Sequence, residues 1–166
     1  NEFDLVNING EELVTNYISH RLKSGIIIGF EFIKEKNVIG FSNSAFRAEL
    51  IPEKLSIPQD VAVVDWFFYT LLLHAGHKAV FSNEMITYYR QYSDNMIGIN
   101  NETLDNYKKK LALKAMHYRY LSSSFTEFEE LAKKYSKEKN LTDIQVSTLL
   151  QNNKITYPLW WENIKI

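Results

Sequence analysis

The chain has 166 residues, 45% of them hydrophobic and 14% aromatic, which suffices for one buried core and argues against disorder. Nineteen basic against twenty acidic side chains leave a formal charge of -1 with no long run of either sign, so neither nucleic acid nor an anionic membrane is indicated as a partner. The absence of cysteine excludes a disulfide framework, a thiolate metal site and a thiol nucleophile, and no stretch approaches the roughly 18–20 apolar residues of a transmembrane helix.

In chain order, "FDLVNING" alternates like a short strand and closes on Asn9-Gly10, a turn signal. "EELVTNYISHRLK" follows with Leu13, Tyr17 and Leu22 near helical spacing and Gly25 as a C-terminal stop, which predicts a helix. "GIIIGFEFI" and "NVIGFS" read as strands, and "NSAFRAELI" as a short helix opening at Asn43 or Ser44. Pro52 and Pro58 bracket an irregular segment. In "VVDWFFYTLLLHAG" the spacing of Phe68, Leu71, Leu72 and Ala75 predicts a helix over 66–75 that Gly76 closes. "KAVFSN" and "MITYYRQY" are rich in β-branched and aromatic residues and read as two strands. From about Glu102 onward "LDNYKKKLALKAMHYRYLSS", "FTEFEELAKKYSK" and "TDIQVSTLLQN" carry apolar residues at helical intervals. An α/β part over 1–100 therefore precedes a helical part over 101–166.

Asp65 stands before eleven mostly apolar residues, at the expected N-cap of its helix. An N-cap aspartate satisfies an otherwise unpaired amide, for about 1 kcal/mol. The same position suits an acid/base role, because the amides and dipole of a helix N-terminus favour the charged carboxylate while its side chain can still face a cleft. One residue can hold both roles.

The wider pattern of "VVDWFF" followed by "LLLHAGHKAVFSNEMITYYRQYSDNMIG" resembles the C-terminal half of inverting family-2 glycosyltransferases of the GT-A fold, particularly rhamnosyltransferase-like enzymes that build polysaccharides. Asp65-Trp66 matches the family's short element carrying the catalytic base, and Tyr89-Arg90-Gln91-Tyr92 with Asn95 and Gly98 matches its "YRQH..N..G" signature. "GFSNSAFRAELI", with Ser42 and Asn43, is similar to a segment on the acceptor side of such sites. The resemblance covers residues 4 to 98. It implies a sugar transferred with inversion from a nucleotide-sugar donor to a saccharide or lipid-linked acceptor, in cell-surface polysaccharide synthesis. Asp65 would be the base, Arg90 a phosphate contact, Gln91 and Asn95 holders of sugar or phosphate oxygens, and Trp66 and Tyr92 stacking platforms.

A divalent cation, Mg or Mn, is implied for the intact enzyme. The family's D-x-D metal motif has no counterpart here, so the cation's ligands and the nucleotide-binding half are expected outside these residues. Tyr92 stands where relatives often carry His. A cytoplasmic location, peripheral at the inner membrane face, follows from where nucleotide sugars are made.

Other features carry weaker signals. His20, His74, His77 and His117 form no recognised ligand spacing, and "GIIIGF" lacks a phosphate-cradling G-x-G-x-x-G. Ser122-Ser123-Ser124 reads as a break between helices, Lys108-Lys109-Lys110 as a solvated face, and Trp160-Trp161 as an anchor for the tail on the α/β part or as a partner or membrane-surface contact. Two rival readings stay open. A non-catalytic carbohydrate-binding module would expose Trp66 and Tyr92 with no reachable carboxylate; a helical interaction module would show an apolar seam along 104–150 and form homo-oligomers.

Overall fold

The structure, a computed structural model, describes residues 1–53, 55–92 and 103–152. It is a mixed α/β chain. Strand β1 (Glu2–Val6) lies at the centre of a small sheet, antiparallel to β2 (Glu12–Val14) and parallel to β5 (Ile86–Arg90), in the order β2-β1-β5. A second sheet pairs β3 (Ile27–Ile28) antiparallel with β4 (Ala79–Val80). Between the strands lie α1 (Phe30–Ile33) and α2 (Val64–His74); α3 (Leu104–Ser122), α4 (Glu129–Glu138) and α5 (Asp143–Asn152) follow.

Four sequence expectations are corrected. The helix expected across 11–23 is replaced by β2 and a series of turns. The cause is two buried carboxylates on β1. Glu2 accepts the N–H groups of Ile18 (2.7 Å) and Ser19 (2.8 Å), and Asp4 accepts that of Asn16 (2.7 Å). These charge-assisted bonds satisfy turn amides that a continuous helix would satisfy with its own carbonyls. Asn16 sits in the left-handed region, at φ 52°. The strand expected over 25–33 narrows to Ile27–Ile28 and then turns into α1. The run "NVIGFS" is partly extended but pairs with no strand among the described residues, and Phe41–Asn43 closes it in a 3-10 turn. The short helix expected at 43–51 contracts to a 3-10 turn at Ala48–Leu50.

Helix α2 forms where expected but runs over Val64–His74, starting two residues before the expected 66–75. Gly76, at φ 93°, ends it in a Schellman closure, with Gly76 N–H bonded to Leu73 C=O (3.1 Å) and His77 N–H to Leu72 C=O (3.3 Å). The serine run ends α3 as expected. Thr103 caps the start of α3 by accepting the Asn106 N–H (3.2 Å).

One buried apolar cluster runs from Ile18, Ile28 and Ile33 through α2 to Leu111, Tyr118, Phe128 and Tyr135 of the helical part. Trp66 is the seam. Its indole N–H donates to Ile33 C=O (2.9 Å), its ring stacks on His117 at 3.8 Å, and Tyr118 of α3 donates to Lys34 C=O (3.0 Å). Trp66 is fully buried, so its expected part as an exposed stacking platform is overturned. The reason is register. Residues on the inner face of α2 meet both α1 and α3, and Trp66 is on that face. Asn95 and Gly98, the boundary near residue 100, and Trp160-Trp161 lie outside the described residues.

Candidate functional site

Asp65 occupies the first turn of α2, one residue beyond the helix start, rather than the cap itself; Val63 holds the cap position without a side-chain bond. Asp65 nonetheless secures local amides. Its Oδ1 accepts the N–H of Trp66 (2.7 Å) and, at the long limit, the side-chain amide of Asn37 (3.5 Å); the backbone N–H of Phe41 adds a further donor. Oδ2 lies beside Gly40, where an added Cβ would stand 3.5 Å from it.

This carboxylate borders an open cavity of about 190 Å³. The walls come from three directions: Phe3 and Leu5 of β1, the extended segment from Asn37 to Asn43, and Tyr89 with Gln91 from the end of β5. Strand alternation explains the last wall. With Tyr89 and Gln91 turned to the cavity, Arg90 between them projects to the opposite face and is exposed. Of the two signature residues that could share a cleft with Asp65, Gln91 does and Arg90 does not. Tyr92 is exposed and does not line it.

Ser42 and Asn43 both border the cavity, with different roles. Ser42 is exposed at the rim. Asn43 is buried and its side chain is committed to backbone: Oδ1 accepts the Gly40 N–H (3.0 Å) and Nδ2 donates to Asn1 C=O (3.0 Å). Asn43 thus shapes the loop that presents Gly40, Phe41 and Ser42. A Cβ on Gly40 would approach Asn43 Oδ1 to 2.8 Å, so only glycine fits this turn beside the carboxylate.

Burial raises the affinity of Asp65 for a proton above that of an ordinary aspartate, and the Trp66, Asn37 and Phe41 donors offset only part of that rise. Tyr69 and Tyr89 feel the same charge. Burial, and secondarily Asp65, push both phenols up, while the Ser44 hydroxyl bonded to Tyr69 (2.5 Å) pulls the other way on that ring. A partly buried carboxylate, made more basic by burial and bordering an open cavity, is equipped to take a proton from a bound hydroxyl.

Asn37, Gly40 and Phe41 were not singled out from sequence, and Tyr89 was named only as part of the signature, with no role given to it. The two-residue period of "MITYYRQY" does carry the signal for Tyr89 beside Gln91. Asn37 is brought to Asp65 from 28 positions away and has no local signature. Among the described residues no group of three or more His, Cys, Asp or Glu side chains is placed to hold a metal ion, so the residues present do not fit the divalent cation implied by the resemblance.

A second cavity, of about 300 Å³, lies beyond Val38 and Ile39. Ile18, Leu22, Leu72 and Phe81 make it mostly apolar inside, and no carboxylate borders it. No helix among the described residues is long and apolar enough to cross a membrane.

No protein-family model, curated protein or solved structure matches the chain. The chemistry must be read from the cavity.

Proposed function

We propose that this chain is the acceptor-side part of an inverting, family-2-like glycosyltransferase of GT-A type, in which Asp65 is the general base. The observation that carries the reading is the position of Asp65: a partly buried carboxylate of raised basicity at a helix start, opening into a cavity it shares with Ser42, Tyr89 and Gln91. In the reaction an acceptor hydroxyl gives its proton to Asp65 as its oxygen bonds to the anomeric carbon. The bond from that carbon to the donor phosphate breaks on the opposite face, and the nucleoside diphosphate leaves with the electron pair. Proton removal of this kind contributes about 10²–10⁴-fold.

The groups that would hold the nucleotide-sugar and its divalent cation belong to the half of the site that has no counterpart among these residues. The acceptor is a saccharide or a lipid-linked saccharide, and the process is cell-surface polysaccharide assembly in the cytoplasm. Arg90, on the opposite face of β5, has no part in this cavity.

The rival readings have less support. A binding module built on Trp66 is at odds with that residue's burial and with a reachable carboxylate. For a helical interaction module, the large exposed apolar side chains among the described residues of the helical part are Ile144 and Leu149, both on α5, too few for a seam along 104–150. The test is Asp65→Asn in the full-length protein, assayed for sugar transfer and separately for donor binding. Transfer should fall by about 10²-fold or more with donor affinity nearly unchanged. Undiminished turnover refutes Asp65 as the base.

A further inference from the structure

The cavity's charge and shape specify more than the presence of a hydroxyl. Asp65 is the only charged residue among those that line it, and no Lys, Arg or His borders it among the described residues. A bound carboxylate or phosphate would therefore meet a like charge with nothing to compensate it, at an effective dielectric well below that of water. At about 190 Å³ the space is smaller than the roughly 300 Å³ at which drug-sized ligand sites begin, which suits one small ring.

Aromatic surface flanks it on both sides. Phe3 stacks on Tyr17 at 4.9 Å and borders Tyr89 at 5.7 Å. At the rim Phe41 is 46% exposed, and its ring rests on Phe68 (5.3 Å) and Tyr69 (5.6 Å). That support fixes the ring while leaving part of it open, an amphipathic platform for the C–H face of a sugar. Ser42 and Gln91 supply neutral hydrogen-bonding groups at the edge.

Resting on the glycosyltransferase reading, we propose that the acceptor group entering this cavity is a single neutral pyranose ring, seated against Phe41, and that the site selects against uronates and sugar phosphates. Phe41, not Trp66, is the stacking residue. An amino sugar would bind but react poorly, since its ammonium would pair with Asp65 and suppress the basicity that proton removal requires.

The test titrates the 166-residue chain, followed by amide NMR, with methyl glucopyranoside, methyl glucuronopyranoside, glucose 6-phosphate and methyl glucosaminide. The neutral glycoside should shift the resonances of Phe41, Ser42, Tyr89 and Gln91, and both anions should bind about fivefold more weakly or worse. Asp65→Asn should shrink the penalty on the anions. Phe41→Leu, which keeps apolar volume over Phe68 and Tyr69, should weaken the neutral glycoside about threefold or more, while Phe41→Trp restores it. Tighter binding of an anion than of the neutral glycoside, weaker binding of the amine than of the anions, shifts confined to other residues, or indifference to Phe41→Leu would overturn the proposal. The two readings fail separately. Neutral-ring binding at Phe41 together with full turnover by Asp65→Asn removes the catalytic role and leaves the subsite. Loss of turnover together with a preference for anionic acceptors removes the subsite assignment and leaves the base.

Discussion

Acidification should unfold this protein through His117. The imidazole is 3% exposed, lies flat on Trp66 at an interplanar angle of 8°, and neither ring nitrogen has a hydrogen-bond partner among the described residues. A void of about 10 Å³, lined by Val61, Ala62, Val63, Leu113 and Met116, adjoins it, at the lower limit for a single water. Burial, reinforced by the Lys114 ammonium one turn earlier on α3, pushes its pKa from 6.5 down to about 3. The native state thus refuses a proton that the unfolded chain accepts. Stability is full above pH 6.5 and is lost as the pH falls toward the native value of about 3. The slope is about 1.4 kcal/mol per pH unit, or about 2 kcal/mol between pH 7 and pH 5. That is a sizeable share of the roughly 5–15 kcal/mol a domain holds.

Urea unfolding followed by far-UV circular dichroism across this window measures the slope directly. His117→Phe keeps the stack on Trp66 and removes the titration, so its slope should be flatter by close to one proton. Contributions from carboxylates are common to both proteins and cancel in the difference. Equal slopes, or a His117 ring resonance that titrates near its ordinary value, would refute the reasoning.

Three further substitutions probe the site and its supports. Gly40→Ala drives a methyl to 2.8 Å from the committed amide of Asn43 and should cost about 1–3 kcal/mol, read by thermal melting, with loss of the glycoside-induced shifts at Phe41 and Ser42. Asp65→Asn removes a charge whose burial is unfavourable while keeping an acceptor for the Trp66 N–H. At neutral pH its melting temperature should therefore rise, by roughly 2–4 °C for about 1 kcal/mol, even as transfer is lost. Glu2→Ala strands the amides of Ile18 and Ser19 and should cost about 2–4 kcal/mol in urea unfolding; a change under about 0.5 kcal/mol would show that those turns hold without the carboxylate.

Local pattern decided the elements whose stability is mainly their own. The apolar face and closing glycine of α2, the serine break after α3 and the hairpin-like turn after β1 all follow from spacing and turn chemistry within a few residues. It failed where distant groups compete for the backbone. The 11–23 segment has helical spacing, but Glu2 and Asp4 capture its amides and β1 recruits Glu12–Val14 into the sheet. Propensity lost to hydrogen bonds that no window of that length contains.

The site divides in the same way. Asp65 at the head of an apolar helix, and the two-residue alternation that sets Gln91 apart from Arg90, are properties of the chain as written. That Trp66 is sealed under His117, that Asn37 and Gly40 close around the carboxylate, and that Phe41 is the ring left open are decided only by packing α2 against the 37–43 segment and α3. Exposure and proton affinity belong to the assembled neighbourhood, because both depend on which atoms exclude water from a group.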